Sequence, residues 1–180
     1  MFRFSISNTA IILFSALIFF DSQGLILPIL LAATAHELGH FLLILLFRLK
    51  ISSIEISASG FEIEYAGFSK ARQDALIALA GPLFGFIYAI IIAGIGYQSS
   101  SEFLLCSAGI SAVFSLFNLL PVPMLDGGKV LAPLLSPRQL KFCGILCGAS
   151  LIFIGILAIF KGAGIALVLA GGFVLIDTCK

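Results

Sequence analysis

The only two histidines of this 180-residue chain stand four residues apart around a glutamate, in His36-Glu37-Leu38-Gly39-His40. Residues four apart share one face of a helix, so both imidazoles can meet a single metal ion. Zinc suits such a pair, because it takes nitrogen and oxygen ligands and keeps an open position when it serves catalysis. Glu37 projects beside that position, where it can take a proton from the attacking water and later pass it to a leaving amine. Random placement of so few histidines and glutamates gives the pattern with a chance of roughly one in a thousand. Counting from Leu25 at about 1.5 Å per residue, His36 lies roughly 17 Å into an apolar stretch. Ionisable groups at such depth are expensive, rare and usually functional.

A hydrolytic zinc site needs a third protein ligand, and with no histidine left it must be a carboxylate. Glu55, Glu62 and Glu64 share one polar segment, and Asp21, Glu102 and Asp177 lie near the ends of apolar runs. Asp126 fits best, within Asn118-Leu119-Leu120-Pro121-Val122-Pro123-Met124-Leu125-Asp126-Gly127-Gly128. Two prolines and two glycines stop a regular helix there. Broken backbone at membrane depth is tolerated where it lines a cavity.

The elements that must position these groups are membrane helices. Hydrophobic residues make up 61% of the chain and charged residues 11%, with a mean hydropathy of +1.20. A soluble domain is nearer half apolar and a quarter charged, so the composition is that of an integral membrane protein. A net charge of +1 and the absence of any nucleic-acid motif exclude a nucleic-acid partner. At about 20 apolar residues per span, six helices are expected, over Phe4–Phe20, Leu25–Phe47, Asp74–Tyr97, Phe103–Leu120, Leu140–Phe160 and Gly162–Ile176. Met1-Phe2-Arg3 opens the chain like a signal peptide, but no small-x-small cleavage pattern follows, so a retained first helix is expected.

Between the second and third spans, Ile51–Tyr65 alternates with period two. Ile54, Ile56 and Ala58 alternate with Glu55, Ser57 and Ser59; after Gly60, Phe61, Ile63 and Tyr65 alternate with Glu62 and Glu64. This predicts a short β-hairpin with one apolar and one polar face. The expected fold is thus an all-α polytopic membrane protein with about six transmembrane helices and one hairpin. It forms a single domain over residues 1–180, with a catalytic core at about 25–135 flanked by helices at 4–20 and 140–176.

Lysine and arginine set the orientation. Arg3 precedes the first span, Arg48, Lys50, Lys70 and Arg72 flank the second connection, and Lys129, Arg138 and Lys141 flank the fourth. The positive-inside rule places both termini and these two connections in the cytoplasm. Asp126 then arrives on the side where the helix of His36 and His40 ends. Cys106, Cys143, Cys147 and Cys179 lie in or beside apolar segments; the pair Cys143 and Cys147 reads as small apolar filler, and no disulfide framework is implied.

The combination of His36-Glu37-Leu38-Gly39-His40 with Asn118, Pro121, Pro123 and Leu125-Asp126-Gly127-Gly128 resembles the site-2 protease family of intramembrane zinc metalloproteases. The branch resembled is the sporulation-type bacterial one, and the resemblance covers about Leu25 to Leu135. It implies that His36, His40 and Asp126 bind zinc, that Glu37 activates water and that Asn118 helps position substrate. It also implies a bacterial cell-membrane location, a transmembrane or membrane-associated protein substrate and room for a regulatory membrane partner. Two departures stand out. Relatives often carry Ala-Gly-Pro-x-x-Asn in the third span, whereas Ala80-Gly81-Pro82-Leu83-Phe84-Gly85 has glycine in the asparagine slot. Some relatives of this branch also carry a cytoplasmic regulatory domain after the last span, and the chain stops at Lys180, so regulation in cis by a nucleotide sensor is not expected.

In mechanism, zinc would polarise the scissile carbonyl, and a transmembrane substrate must unwind locally before attack. The 51–65 hairpin can accept the unwound stretch as an added strand, or serve only as an interfacial loop. Glycine pairs such as Gly94 and Gly96, or Gly162 and Gly164, suit close helix packing. The competing classes are a membrane metal-ion transporter, which leaves Glu37 without a task, and a non-catalytic relative that binds membrane proteins, which would ordinarily have lost a ligand or the base. A membrane protease of the prenyl-processing type would draw its third ligand from a glutamate motif that is not seen here.

Overall fold

A computed structural model describes residues 3–57, 60–66, 71–161 and 165–179. Its elements run β1 (Arg3–Ile6), α1 (Asn8–Phe20), α2 (Ile26–Leu46), β2 (Lys50–Ser57), β3 (Gly60–Ala66), α3 (Ala71–Ser99), α4 (Glu102–Asn118), α5 (Asp126–Leu131), α6 (Pro137–Phe160) and α7 (Ala166–Cys179). The chain divides into two compact units, Met1–Leu116 and Phe117–Lys180. Helix predominates, as expected. Among the described residues three helices, α2, α3 and α6, are long and apolar enough to cross a membrane. Of the other expected spans, α4 and α7 are shorter apolar helices of 17 and 14 residues, and α1 has 13. At about 1.5 Å per residue, 13 or 14 residues reach only about 20 Å of a hydrocarbon layer roughly 30 Å thick.

The first unit opens differently from the sequence expectation. Phe4–Ile6, expected to start the first helix, instead belong to the strand Arg3–Ile6, and α1 begins only at Asn8, where the Ser7 hydroxyl accepts the Ala10 amide at 3.2 Å. The hairpin is present and gains this strand as a third member, with β1 parallel to β2 and β2 antiparallel to β3. By Cα register Phe4, Ile54 and Ile63 stand in one row and Ile6, Ile56 and Phe61 in another, while Glu55 pairs with Glu62. Apolar rows on one face and polar rows on the other follow from the two-residue period of a pleated strand. Ala58, Ser59 and Lys70, used in the sequence reading, lie outside the described residues, as do Gly162 and Gly164.

Both ends of α2 are fixed by hydrogen bonds. The Asp21 carboxylate accepts the amides of Leu25 and Ile26 at 2.8 and 3.1 Å, satisfying donors that a helix start leaves open. At the other end Arg48 turns left-handed with φ of 54°, and the amides of Leu49 and Arg48 reach back to the carbonyls of Ile44 and Leu45. That double closure ends the helix and turns the chain into β2. Along α3, Ile77, Gly81, Gly85 and Ala89 are all buried at four-residue spacing, a stripe that lets neighbouring backbones come close.

In the second unit, α4 stops at Asn118 and regular helix resumes only at Asp126, as the prolines and glycines predicted. A Cβ on Gly127 would meet the Leu119 carbonyl, and one on Gly128 the Val122 carbonyl, so only glycine allows the break to fold this tightly. Val122, Leu125 and Val174 form its core, with Phe117, Leu120, Met124, Cys147 and Leu151 against them. Cys147 is therefore apolar filler, and all four cysteines are free. A capping box of Ser136 and Gln139 starts α6.

Candidate metal centre

His36 and His40 project from one face of α2, and their Nε2 atoms stand 3.1 Å apart. His36 is buried, His40 half-buried, and the two rings meet edge to face at 4.8 Å. His40 Nδ1 lies 2.7 Å from the Ile77 carbonyl oxygen. A carbonyl can only accept, so Nδ1 carries the proton and Nε2 of the neutral ring presents a lone pair. This is the backing that a metal-ligating histidine ordinarily has. Phe114 of α4 presses on the His36 ring from another side, at 5.0 Å between centroids and 73° between planes.

The neighbouring backbone is cut away to admit the rings. A Cβ on Gly81 would collide with His40 Nε2 and come within 2.7 Å of His36 Nε2. One on Gly39 would strike the Ala80 carbonyl and lie 2.9 Å from Phe84 Cβ. Gly39 thus brings α2 against α3, and Gly81 leaves the hollow that the imidazoles occupy. At Zn–N distances of about 2.0–2.1 Å, two nitrogens on a tetrahedral zinc stand about 3.3 Å apart. The observed 3.1 Å and the fixed tautomer of His40 make this donor pair fit zinc. Glu37, the expected base, is half-buried on the same turn of α2.

Asn118 and Asp126 belong to the second unit. Asn118 is the last residue of α4 and is half-buried. Asp126 is the first residue of α5 and is buried, with Lys129 Nζ 3.6 Å from its Oδ1. The sequence reading missed Ile77, Gly39 and Phe114. Ile77 acts through its carbonyl and Phe114 resembles any other apolar residue of a span, so neither carried a signal. Gly39 sat inside the histidine motif and was legible as a close-packing position.

The family model of Peptidase family M50 matches residues 97–160, a stretch that holds Asn118 and Asp126 but not the histidines. No curated protein sequence matches the chain. Among solved structures, the site-2 protease from Methanocaldococcus jannaschii aligns with a TM-score of 0.71 at 22% identity, over 96% of this chain and 87% of that one. The chain has the site-2 protease fold. The resemblance drawn from the two motifs is therefore borne out by both comparisons. The alignment extends over nearly all of both chains, well beyond the two motifs.

Proposed function

We propose that this chain is an intramembrane zinc metalloprotease that hydrolyses a peptide bond of a membrane-spanning or membrane-associated protein near the cytoplasmic side. The observation that carries the reading is the His40 ring, held by the Ile77 carbonyl so that its lone pair and the His36 Nε2 converge. His36, His40 and Asp126 would hold the ion, which when bound polarises a carbonyl and makes water a better nucleophile near neutral pH. Glu37 takes the proton from the attacking water and returns it to the leaving amine. Asn118, at the break that leads to Asp126, positions the substrate chain. The outer edge of β3 accepts an unwound stretch of substrate as a further strand.

The same reading sets the protein in a bacterial cell membrane as a multi-pass protein. Both termini are cytoplasmic, and a membrane partner can regulate access. The deciding experiment compares purified wild type with Glu37→Gln for bound zinc and for cleavage of a transmembrane test substrate. The variant keeps its zinc and loses about 10²–10⁴-fold in rate, as expected for removal of a general base. Equal cleavage by the two proteins rules the protease out, and metal flux through reconstituted wild type points to a transporter instead.

A further inference from the structure

Ser115 of α4 is fully buried, and its Oγ has no hydrogen-bond partner among the described residues. The serines one and two turns earlier on the same helix face are satisfied. Ser111 Oγ donates to the Gly85 carbonyl at 2.9 Å, and Ser107 Oγ lies 2.8 Å from the Tyr88 hydroxyl and 3.4 Å from the Pro28 carbonyl. A helical hydroxyl without other partners ordinarily turns to the carbonyl four residues back. Thr34 and Thr178 do so here, at 2.7 Å each, and Ser115 does not. A buried donor left unmet is destabilising, and its persistence in a fold asks for a ligand.

The place of this hydroxyl indicates the ligand. Gly81 and Gly85 lie four residues apart on one face of α3; a Cβ on the first would strike His40 Nε2, and one on the second Ser115 Oγ. Ser115 Oγ therefore sits one helical turn, about 5.4 Å, along α3 from the imidazole pair. An extended chain advances about 3.3 Å per residue, so that distance is one to two residues of unwound peptide. Its neighbour Phe114 already touches the His36 ring. Unwinding a helix in lipid strips carbonyl oxygens of their partners, and nothing in hydrocarbon replaces them. An orphaned donor beside the site is the complement of an orphaned acceptor on the substrate.

We propose that Ser115 is a substrate-binding residue whose hydroxyl donates to a backbone carbonyl of the unwound substrate, one to two residues from the scissile bond. The assignment rests on the protease reading above. It gives Gly85 a purpose: the residue without a side chain admits the hydroxyl that α4 supplies.

The test compares wild type, Ser115→Ala, the swap Gly85→Ser/Ser115→Gly and the filled control Gly85→Ala/Ser115→Gly. Each is assayed for bound zinc, Tm and kcat/KM on a transmembrane substrate. Ser115→Ala keeps its zinc, has an equal or higher Tm because a buried orphan is gone, and loses about tenfold in kcat/KM. The swap, which returns a hydroxyl from the opposite helix, recovers most of that loss, and the filled control does not. Wild-type kcat/KM in Ser115→Ala overturns the assignment, as does a joint fall of its Tm and zinc, which would make the hydroxyl part of the fold. Equal recovery by the control overturns it too, since packing alone would then suffice. Absence of cleavage by wild type itself defeats the protease reading, and this assignment with it.

Discussion

Glycine opens close contacts in both units, but what enters the opened space differs. In the first unit, Gly81 faces the imidazoles of His40 and His36, and Gly85 faces the hydroxyl of Ser115. In the second, Gly148 faces Leu175, Gly155 faces Val168, Gly171 faces Ile152 and the Gly148 carbonyl, and Gly144 faces Thr178, whose hydroxyl already donates to the Val174 carbonyl of its own helix. Aliphatic groups, backbone and a hydroxyl satisfied within its own helix are the ordinary filling by which membrane helices gain close contact. The imidazole nitrogens at Gly81 and the unmet Ser115 hydroxyl at Gly85 have no such explanation, since a polar group in an apolar interior must find a partner or remain costly. The same residue type thus serves packing at Gly148, Gly155 and Gly171 and admits polar groups of the proposed site at Gly81 and Gly85.

Three substitutions sharpen that contrast. Gly81→Ala has the largest expected effect, because its Cβ falls on the Nε2 atoms of both His40 and His36. Zinc affinity drops by at least about ten- to a hundredfold, the range for losing a group that orients ligands, and cleavage falls with it. Metal analysis of the purified variant checks this, and full zinc occupancy would mean the hollow is not a metal cradle. Gly171→Ala comes second: it meets the Gly148 carbonyl at 2.7 Å and the Ile152 amide nitrogen at 2.8 Å, so α6 and α7 must part. It lowers stability by about 1–3 kcal/mol and leaves zinc content unchanged. Thermal unfolding beside metal analysis separates the two, and loss of zinc without loss of Tm would break the contrast.

Tyr65→Phe has the smallest effect. The Tyr65 hydroxyl donates to Asp74 Oδ1 at 2.6 Å and ties the end of β3 to the first turn of α3. Burial first, and the Asp74 carboxylate second, push the Tyr65 pKa up to about 12. A raised pKa means that the unfolded chain loses this proton before the folded one does. The contribution is therefore intact below about pH 10 and fades as pH rises toward 12. Wild-type Tm should fall more steeply than that of Tyr65→Phe across this interval, and parallel slopes would remove the tie.

Much of this could be read before any coordinates. Paired histidines at helical spacing, a helix break at Pro121, Pro123, Gly127 and Gly128, and the alternation of β2 and β3 are local patterns, and local patterns survive folding. Strand β1 escaped notice because Arg3–Ile6 runs into the apolar residues of α1, and its pairing with β2 spans about fifty residues of sequence. The Ile77 carbonyl was invisible because every residue has one. Gly85 read as the loss of a polar group from α3, and only the α3–α4 contact shows a hydroxyl arriving from the other helix.

The proposed zinc ligands are His36, His40 and Asp126, and the aspartate is the one assigned from sequence by elimination. Zinc content of purified Asp126→Asn, measured beside wild type after dialysis against a mild chelator, tests that assignment most directly. The account predicts about one ion per chain in wild type and well under half of that in the variant, with the fold intact by Tm. Equal zinc in both would show that the third ligand lies elsewhere.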